Sequence, residues 1–488
     1  MSGPLEDLRS YIGWLESRGE LVVVEEEVSP VLEIPALLRR LMYNRGPAVL
    51  FTRIKGHEGW RVAGNLFRSI DTLRAALGVG RLEEVGERLT SMFTRPPPTG
   101  FTEKIRALRE VGEASRYTPR RVGKAPFTEN VVESSRGPLR LLPAFKTWPR
   151  DGGRYLTYPL VITRNPLYGT YNVGVYRVML LDGSRAVIHW QIHKRGAEDY
   201  ELHGGERIPV AIAIGSDPAT MLTGAAPVPA PMDKYLFAGI LRGRGVDLYE
   251  LPNGILVPAN AEVVLEGYIT RGEEAEEGPF GDHWGYYDKP RERYPVFRVE
   301  RMYYRSNPIY YGTVVGPPPL EDAVIGKAFE RIFLPLVRVL LPEVVDVNLP
   351  EYGVFQGMAI VSIRKRYPGH AKKVMMALWG LGQFSLTKII VVVDHDIDPH
   401  DINRVIWAVS ANVNPSRDVV VIPGSHTDAL DPAQEAPAYG GKLGIDATRK
   451  LPEENYGRPW PEGLEEDPAT RRWADDAFKR LFAGLGSR

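Results

Sequence analysis

The spacing of apolar and polar positions changes several times along the chain, and each change marks a predicted element. Near the N-terminus Leu5, Leu8, Ile12 and Leu15 recur at helical spacing behind Ser2, Gly3 and Pro4, with Gly19 closing the run, which predicts a helix. "ELVVVEEEV" follows as a strand and "EIPALLRRLM" as a second helix. Residues 1–120 are therefore expected to form a small α/β domain, without candidate chemistry. From "YLTYPLVITRNPLYGTYNVGVYRVMLLDGSRAVIHWQIH" the chain turns strand-rich, punctuated by the turn signals Asn165-Pro166 and Asp182-Gly183. A helical interlude near 217–243 separates it from "AEVVLEGYI" and "YPVFRVERMYYR", which flank the turn "EEGPFGDHWGYYD" at 276–288. Strands that return on themselves this often predict a compact barrel or sandwich over residues 121–312.

Beyond "GTVVGPPPLED" the period changes again. "GMAIVSIRK", a helix from His370 to Trp379, "TKIIVVVD", a helix from about His400 to Val413, and "DVVVIPG" predict a parallel βαβαβ unit over residues 313–460. Neither a G-x-G-x-x-G nor a Walker A loop accompanies it, so it is read as a wall or assembly platform. In residues 461–488, Asp467 caps a final helix with Pro468 behind it, and Trp473, Ala477, Leu481 and Leu485 share one stripe. That stripe suits docking on its own domain and docking on another subunit equally. The expected class is a multidomain α+β protein: an N-terminal α/β domain, a central barrel and a C-terminal α/β domain with a terminal helix.

Length and composition narrow the function. A chain of 488 residues, 43% apolar and 25% charged, fits two or three globular domains. Lys plus Arg and Asp plus Glu number 61 each, so no overall field draws in nucleic acid or an anionic membrane. No apolar run approaches a membrane span or a signal peptide, and a cytoplasmic location is expected. The absence of cysteine excludes disulfides, thiolate metal sites and a Cys nucleophile, leaving His, Asn and carboxylates.

Three stretches carry candidate chemistry. Asn172, Arg177, His189 and His193 fall on strands joined by the Asp182-Gly183 hairpin. His189 and His193, four apart, share a face; Asn172 and Arg177, five apart, require irregular backbone near Gly174 to do so. Neutral His and an Asn carbonyl suit Mn2+ or a similar divalent ion, and Lys194 with Arg195 suits a phosphate; the alternative is a polar strand pair on a barrel rim. "DHDIDPHD" at 394–401 resembles a metal site, but Asp398 as a helix cap with Pro399 in the first turn accounts for most of it. In the 276–288 turn, Glu273, Glu274 and Glu276 suit a solvated tip. Asp282 sits in an aromatic, water-poor setting expected to raise its pKa, so that it carries a proton near neutral pH. Glu277 and Arg177 complete an acid, base and guanidinium trio.

"YNVGVYR", "HWQIHKRGAEDY", "EGPFGDHWGYY" and "KLGIDAT", in this order and over most of the chain, resemble the UbiD family of reversible decarboxylases that use prenylated FMN. The resemblance implies an N-terminal α/β domain, a split β-barrel that holds the flavin, and a C-terminal α/β domain that mediates oligomerisation. It implies that Asn172 and His193 hold a divalent ion, usually Mn2+, against the flavin phosphate, with K+ as a further ion. Val175, Tyr176, Arg177, His189, Trp190, Gln191, Lys194 and Arg195 are the implied cofactor contacts. Arg177, Glu277 and Asp282 are the implied catalytic network, with Asp282 as proton donor. One position departs: "MDKYLFAG" places Lys234 where the family has a Glu ligand, with Asp233 one residue earlier. Either Asp233 replaces that ligand, or Lys234 pairs directly with the flavin phosphate; the metal is expected to be retained.

The implied activity is non-oxidative decarboxylation of an α,β-unsaturated carboxylic acid, with trans-anhydromevalonate 5-phosphate of isoprenoid (mevalonate) biosynthesis as leading substrate. Polyprenyl-hydroxybenzoates and cinnamate-type acids are the alternatives. An FMN-dependent oxidoreductase and a non-catalytic flavin carrier are the rivals from other classes. The implied partners are a flavin prenyltransferase as cofactor supplier and further copies of the chain, as a homodimer or larger homo-oligomer.

Overall fold

The computed structural model of the chain describes residues 5–94, 115–191, 194–288 and 292–482. The first helix, Leu8–Ser17, buries Leu8, Tyr11, Ile12 and Leu15, and starts at Asp7, whose side chain accepts from the Ser10 amide in a capping box. The predicted start at Ser2, Gly3 and Pro4 lies outside the described residues. Strand Leu21–Val28 and helix Glu33–Tyr43 follow as the pattern predicts. The N-terminal sheet has the order Leu21–Val28, Ala48–Ile54, Arg61–Gly64, Ile309–Tyr311. Its last strand arrives from far along the sequence and ties the first segment to the central one.

The central sheet has nine strands among the described residues and curls into a half-barrel. Its path runs Tyr155–Leu156, Val178–Leu180, Arg185–Ile188, Glu292–Tyr304, Val263–Glu277, Arg207–Ile214, Leu160–Arg164 and Tyr171–Val175, while Asn130–Glu133 pairs with Glu292–Tyr304. The inner face contributes Val161, Ile188, Val210, Ile212, Phe297 and Val299 to a core that continues into Phe51 and Val62 of the N-terminal sheet. The long hairpin Val263–Glu277 with Glu292–Tyr304 shifts register between Ile269 and Glu274, and this irregularity aims its tip toward the barrel mouth.

The twenty-residue helix Glu321–Leu340 is missing from the pattern-based prediction. Its internal Pro335 interrupts the helical signature, yet its apolar stripe packs Val324, Ile325, Phe329 and Ile332 against the N-terminal core. In the C-terminal sheet the order is Val344–Asn348, Met358–Ile363, Ile389–Asp394, Tyr439–Asp446, Val419–His426. Only Met358–Ile363, Ile389–Asp394 and Tyr439–Asp446 run parallel to their neighbours. The "DVVVIPG" segment is an antiparallel edge strand with Val421 exposed, which corrects the all-parallel expectation. The predicted helix His370–Trp379 is present. Helix Ile402–Asn412 is capped by Asp401, which accepts from the Arg404 amide, and not by Asp398. Asp394 and Asp396 hold Arg449, so the acids of 394–401 serve a cap and ion pairs.

The last helix, Pro468–Leu481, starts at Asp467 as expected. It buries Ala477 but leaves Trp473, Phe478 and Leu481 more than 60% exposed; Leu485 lies outside the described residues. No helix among the described residues is long and apolar enough to cross a membrane.

Candidate active site

The turn at the hairpin tip is rigid because close packing permits few alternatives. Gly278 has φ +92°, a conformation L side chains rarely adopt. A Cβ on Gly281 would lie 2.2 Å from a ring carbon of Trp148. Asp151 braces the turn from outside, accepting from the amides of Gly281, Thr147 and Trp148. Asp288 closes it, accepting from the Phe280 amide at 2.8 Å. Glu273 pairs with Arg298 and Glu274 lies near Arg293 at the surface, whereas Glu277 and Asp282 are buried, 2% and 5% exposed. The turn therefore points two acids inward.

Both meet Arg177. The strand Tyr171–Val175 ends just before Tyr176 and a new one starts at Val178, so the irregular backbone expected near Gly174 occurs at residues 176 and 177 and turns Arg177 into the chamber. Its guanidinium donates to both Glu277 oxygens at 2.9 and 2.8 Å, to Asp282 at 3.5 Å, and to Asp288. It also stacks over Phe280. His189 Nδ1 lies 3.0 Å from the Glu277 carboxylate, which accepts from it, and the His189 amide donates to the Arg177 carbonyl. Burial pushes the Glu277 carboxyl up, but the bond from His189 and the charge of Arg177 outweigh it and lower it to about 2. Burial and Arg177 keep His189 neutral by lowering its pKa.

Asp282 differs from expectation. Burial does raise its pKa, but the adjacent His283 charge, the His283 hydrogen bond and Arg177 outweigh burial, and the carboxyl is held below the ordinary value. His283 itself is raised well above 6.5 against the opposing effect of burial. It is held between Asp282 on one ring nitrogen and Asp428, 3.3 Å from Nε2, on the other. Asp428 belongs to the C-terminal domain and also accepts from Trp284 Nε1 at 3.2 Å and from Gln356. Asp322, at the start of the long helix, is pushed up to about 6 by burial against the pull of His283. The proton that the sequence assigns to Asp282 thus resides on its neighbour. Sequence reasoning missed Asp288, Asp322 and Asp428; Asp288 alone had a signal, as the final residue of the acidic turn.

Arg177, Glu277, Asp282 and Asp288 line a cavity of about 640 Å3 together with Ala429, Leu430 and Pro432 of the C-terminal domain and His189, Trp190 and Gln191, while His283, Asp322 and Asp428 stand behind its wall. A smaller cavity of about 400 Å3 near Asn165 and His203 carries no comparable constellation, since Asp199 there is occupied by Thr163 and Asn165.

The remaining expected cofactor contacts gather at the other end of the strand Tyr171–Val175. Tyr176 OH accepts from the Asn172 amide and from Gly196 N, and its ring meets Trp190 edge-on. Thr163 donates to Asp199, so its oxygen accepts from Asn172 Nδ2. That bond fixes the amide and leaves Asn172 Oδ1 buried without a partner among the described residues; Trp190 Nε1 and Arg195 Nε are buried in the same condition. Arg195 spends its other nitrogens on the carbonyls of Met232 and Ala230. Lys234, at the start of helix Lys234–Arg242, donates to the Val173 and Gly224 carbonyls at 2.9 and 3.4 Å. Burial, then Arg195 and Lys194, lower its pKa to about 7. Val175 is half-buried at the strand end, and its amide donates to the Gly224 carbonyl. His193 lies outside the described residues.

Unpaired buried donors beside three cationic side chains fit a phosphorylated cofactor. A divalent ion fits less well. Asp233, the alternative ligand, caps the helix: one oxygen accepts from Tyr235 and Leu236 amides and the other from the Tyr171 amide. Among the described residues no group of three or more His, Asp or Glu could hold a metal ion.

Comparison with known proteins places this architecture. Residues 12–89, 120–318 and 323–447 match the N-terminal, Rift-related and C-terminal domains of 3-octaprenyl-4-hydroxybenzoate carboxy-lyase, UbiD. An uncharacterised protein of Aeropyrum pernix is 61% identical over 473 residues, covering 96% of this chain and 97% of that one. One from Archaeoglobus fulgidus is 48% identical over 480 residues, covering 98% of each. Among solved structures, vanillic acid decarboxylase of Sedimentibacter hydroxybenzoicus in its closed form has a TM-score of 0.84 at 29% identity, covering 98% of this chain and all of that one. The UbiD-class enzyme HmfF of Pelotomaculum thermopropionicum in complex with FMN has a TM-score of 0.78 at 29% identity, covering 95% and 99%. The chain belongs to the UbiD family of carboxy-lyases, as the four motifs implied.

Proposed function

We propose that this UbiD-family carboxy-lyase is a prenylated-FMN-dependent decarboxylase of an α,β-unsaturated acid, with trans-anhydromevalonate 5-phosphate as leading substrate. The observation that carries it is the buried Arg177, Glu277 and Asp282 network facing a cavity beside unpaired phosphate-binding donors. HmfF, similar over nearly its whole length, is described with FMN and, in an evolved dimeric form, with prenylated FMN.

When bound, prenylated FMN supplies the electron sink for the pair left behind by CO2. Arg177 orients the substrate carboxylate. Its loosest bond is Nη1 to Asp282 at 3.5 Å, so that arm turns to substrate while Glu277 keeps the other side of the guanidinium fixed. His189, neutral and bonded to Glu277, holds that carboxylate in place. Once CO2 has left, His283 passes its proton to the Asp282 carboxylate, which delivers it to the substrate carbon, and the imidazole is recharged from solvent. The pair therefore acts as one donor, with the proton stored on the imidazole and delivered by the carboxyl; acid catalysis of this kind contributes about 10²- to 10⁴-fold. Asp428 holds the imidazole from the C-terminal domain, so docking of that domain completes the donor.

The cavity lining is largely charged and aromatic, which favours a short polar acid over a polyprenyl tail. An FMN oxidoreductase is less favoured, because hydride transfer leaves the Glu277, Asp282 and His283 array without a task. The exposed Trp473, Phe478 and Leu481 favour a homo-oligomer. The test is co-expression with a flavin prenyltransferase, then cofactor mass and spectrum, then CO2 release from trans-anhydromevalonate 5-phosphate, cinnamate and hydroxybenzoate acids. Plain FMN with no CO2 release from any of them would count against the decarboxylase, and turnover of an aromatic acid alone would replace the proposed substrate.

A further inference from the structure

The buried cluster behind Trp190, which itself lines the chamber, is unusual in charge. Lys194, Arg195 and Lys234 lie near enough that the first two oppose the charge of the third, and Lys234 is 5% exposed. Its two bonds go to neutral carbonyls, and it has no carboxylate partner within ion-pair distance among the described residues. Asp199, the nearest acid acting on it, is spent on Thr163 and Asn165. Lys194 and Arg195 sit at the start of helix Arg195–Leu202, and the indole nitrogen of Trp190 and Nε of Arg195 are buried and unpaired among the described residues. Buried cations without counter-charge are costly unless an anion completes them.

The same surroundings suit a divalent cation poorly. Among the described residues beside Lys234 the unpaired oxygen donor is a neutral amide, Asn172 Oδ1, and both oxygens of Asp233 already accept from backbone amides. A hard divalent ion needs several oxygen or nitrogen ligands, with anionic ones to offset its charge. An ammonium fixed where a carboxylate ligand is needed adds repulsion in its place.

We propose that Lys194, Arg195 and Lys234 form a self-sufficient anion pocket, which holds the flavin's phosphate monoester directly and replaces the divalent ion. The proposal rests on the flavin reading above and deepens it. Two of the ammonium protons of Lys234 are committed to the carbonyls of Val173 and Gly224, which leaves the third for a phosphate oxygen. Trp190 Nε1 and Arg195 Nε supply further donors, and Asn172 Oδ1 accepts from a flavin hydroxyl. Of the two readings the sequence offers, this takes the pairing of Lys234 with the flavin phosphate over replacement of the missing ligand by Asp233, and sets aside the retained Mn2+.

The experiment compares FMN with riboflavin, which lacks the phosphate, binding to the full-length apo chain by flavin fluorescence, with chelator and with added Mn2+. The proposal expects the preference for FMN over riboflavin to be the same in both conditions. Lys234→Gln should cut that preference about 10- to 100-fold, the scale of one charge-assisted bond, with no rescue by Mn2+. Lys234→Glu should lose the preference in chelator and regain at least about tenfold of it with Mn2+, because the substitution supplies the missing anionic ligand. A wild-type preference that falls about tenfold or more in chelator and returns with Mn2+ overturns the proposal. Tight binding of riboflavin and FMN alike overturns the phosphate pocket but leaves the flavin reading intact. Binding of neither sinks both. If a variant fails to fold, the wild-type comparison decides alone.

Discussion

Glu277→Gln isolates the electrostatic contribution of the buried acid end. In the native state the Glu277 carboxylate accepts from Arg177 Nε and Nη2 and faces His189 Nδ1, and its pKa is lowered from 4.5 to about 2. The matching gain of Arg177 is spread over three carboxylates, so the Glu277 value is the one that belongs to this substitution. At about 1.4 kcal/mol per pKa unit, the ionised carboxylate contributes on the order of 3 kcal/mol. The sign follows from a lowered acid: the contribution is present above pH 4.5 and lost as pH falls toward 2. At pH 3 about 1.4 kcal/mol of it remains, because the native carboxylate is still largely ionised while the unfolded one is not. The assay is urea denaturation of wild type and Glu277→Gln, side by side from pH 7 to pH 3, following the transition of the central domain. The stability gap should narrow by roughly half over that range. A gap that stays constant with pH would show that the loss comes from packing, and the charge-based account of Glu277 would be wrong.

Other consequences are equally direct. Asp282→Asn should bind cofactor and lose about 10²-fold or more of CO2 release; near wild-type turnover rules out its role. Asp428→Asn removes one of three acids around His283, leaving Asp282 and Asp322, and so lowers the His283 pKa. A raised His keeps its proton, and its share of stability, to higher pH and loses both as pH rises through its folded pKa. The alkaline fall in rate should therefore begin at lower pH in Asp428→Asn, and an unmoved pH profile counts against the relay. Gly281→Ala drives a methyl into Trp148 and should cost about 1–3 kcal/mol in melting experiments while displacing Asp282; an unchanged melting temperature contradicts the tight turn. Trp473→Ser with Phe478→Ser should lower the assembly mass in light scattering if the terminal helix joins subunits, and an unchanged mass removes it from the interface.

How much of this was legible from sequence depends on how local the cause is. Helices Leu8–Ser17 and His370–Trp379 follow from periodicity, since each buries one stripe against a neighbour, whereas strand Leu21–Val28, with only Val28 buried, follows from its run of β-branched residues. The 276–288 turn was readable because Gly-Pro-Phe-Gly restricts the backbone on its own. Helix Glu321–Leu340 was hidden by Pro335, and strand Tyr439–Asp446 by three glycines that weaken any strand signature. The partner of His283 lies 145 residues away, at Asp428, and no spacing rule reaches that far. The pKa of Asp282 was misjudged for the same reason. Aromatic neighbours in the sequence indicate a dry site, but dryness alone does not set the sign once an adjacent His, braced by a distant acid, stays charged.

The two ends of the chamber divide the electrostatic work. At the acid end Arg177 and His283 face Glu277, Asp282, Asp288 and Asp428, so acids outnumber the paired bases. At the other end Lys194, Arg195 and Lys234 have no carboxylate at ion-pair distance among the described residues, and Asp199, Asp233, Glu198 and Asp428 act on them only from farther off. On the proposed reading, an anionic cofactor would take one orientation, phosphate toward the lysines and ring toward the acids. A substrate carboxylate entering beside three acids meets repulsion that only one arm of Arg177 offsets, whereas departing CO2 is neutral and escapes it. The opposition is therefore relieved as the bond breaks, which favours the transition state over the bound acid. Asp428 reaches His283 from the C-terminal domain, so the charge pattern of the acid end is completed only where that domain meets the hairpin turn.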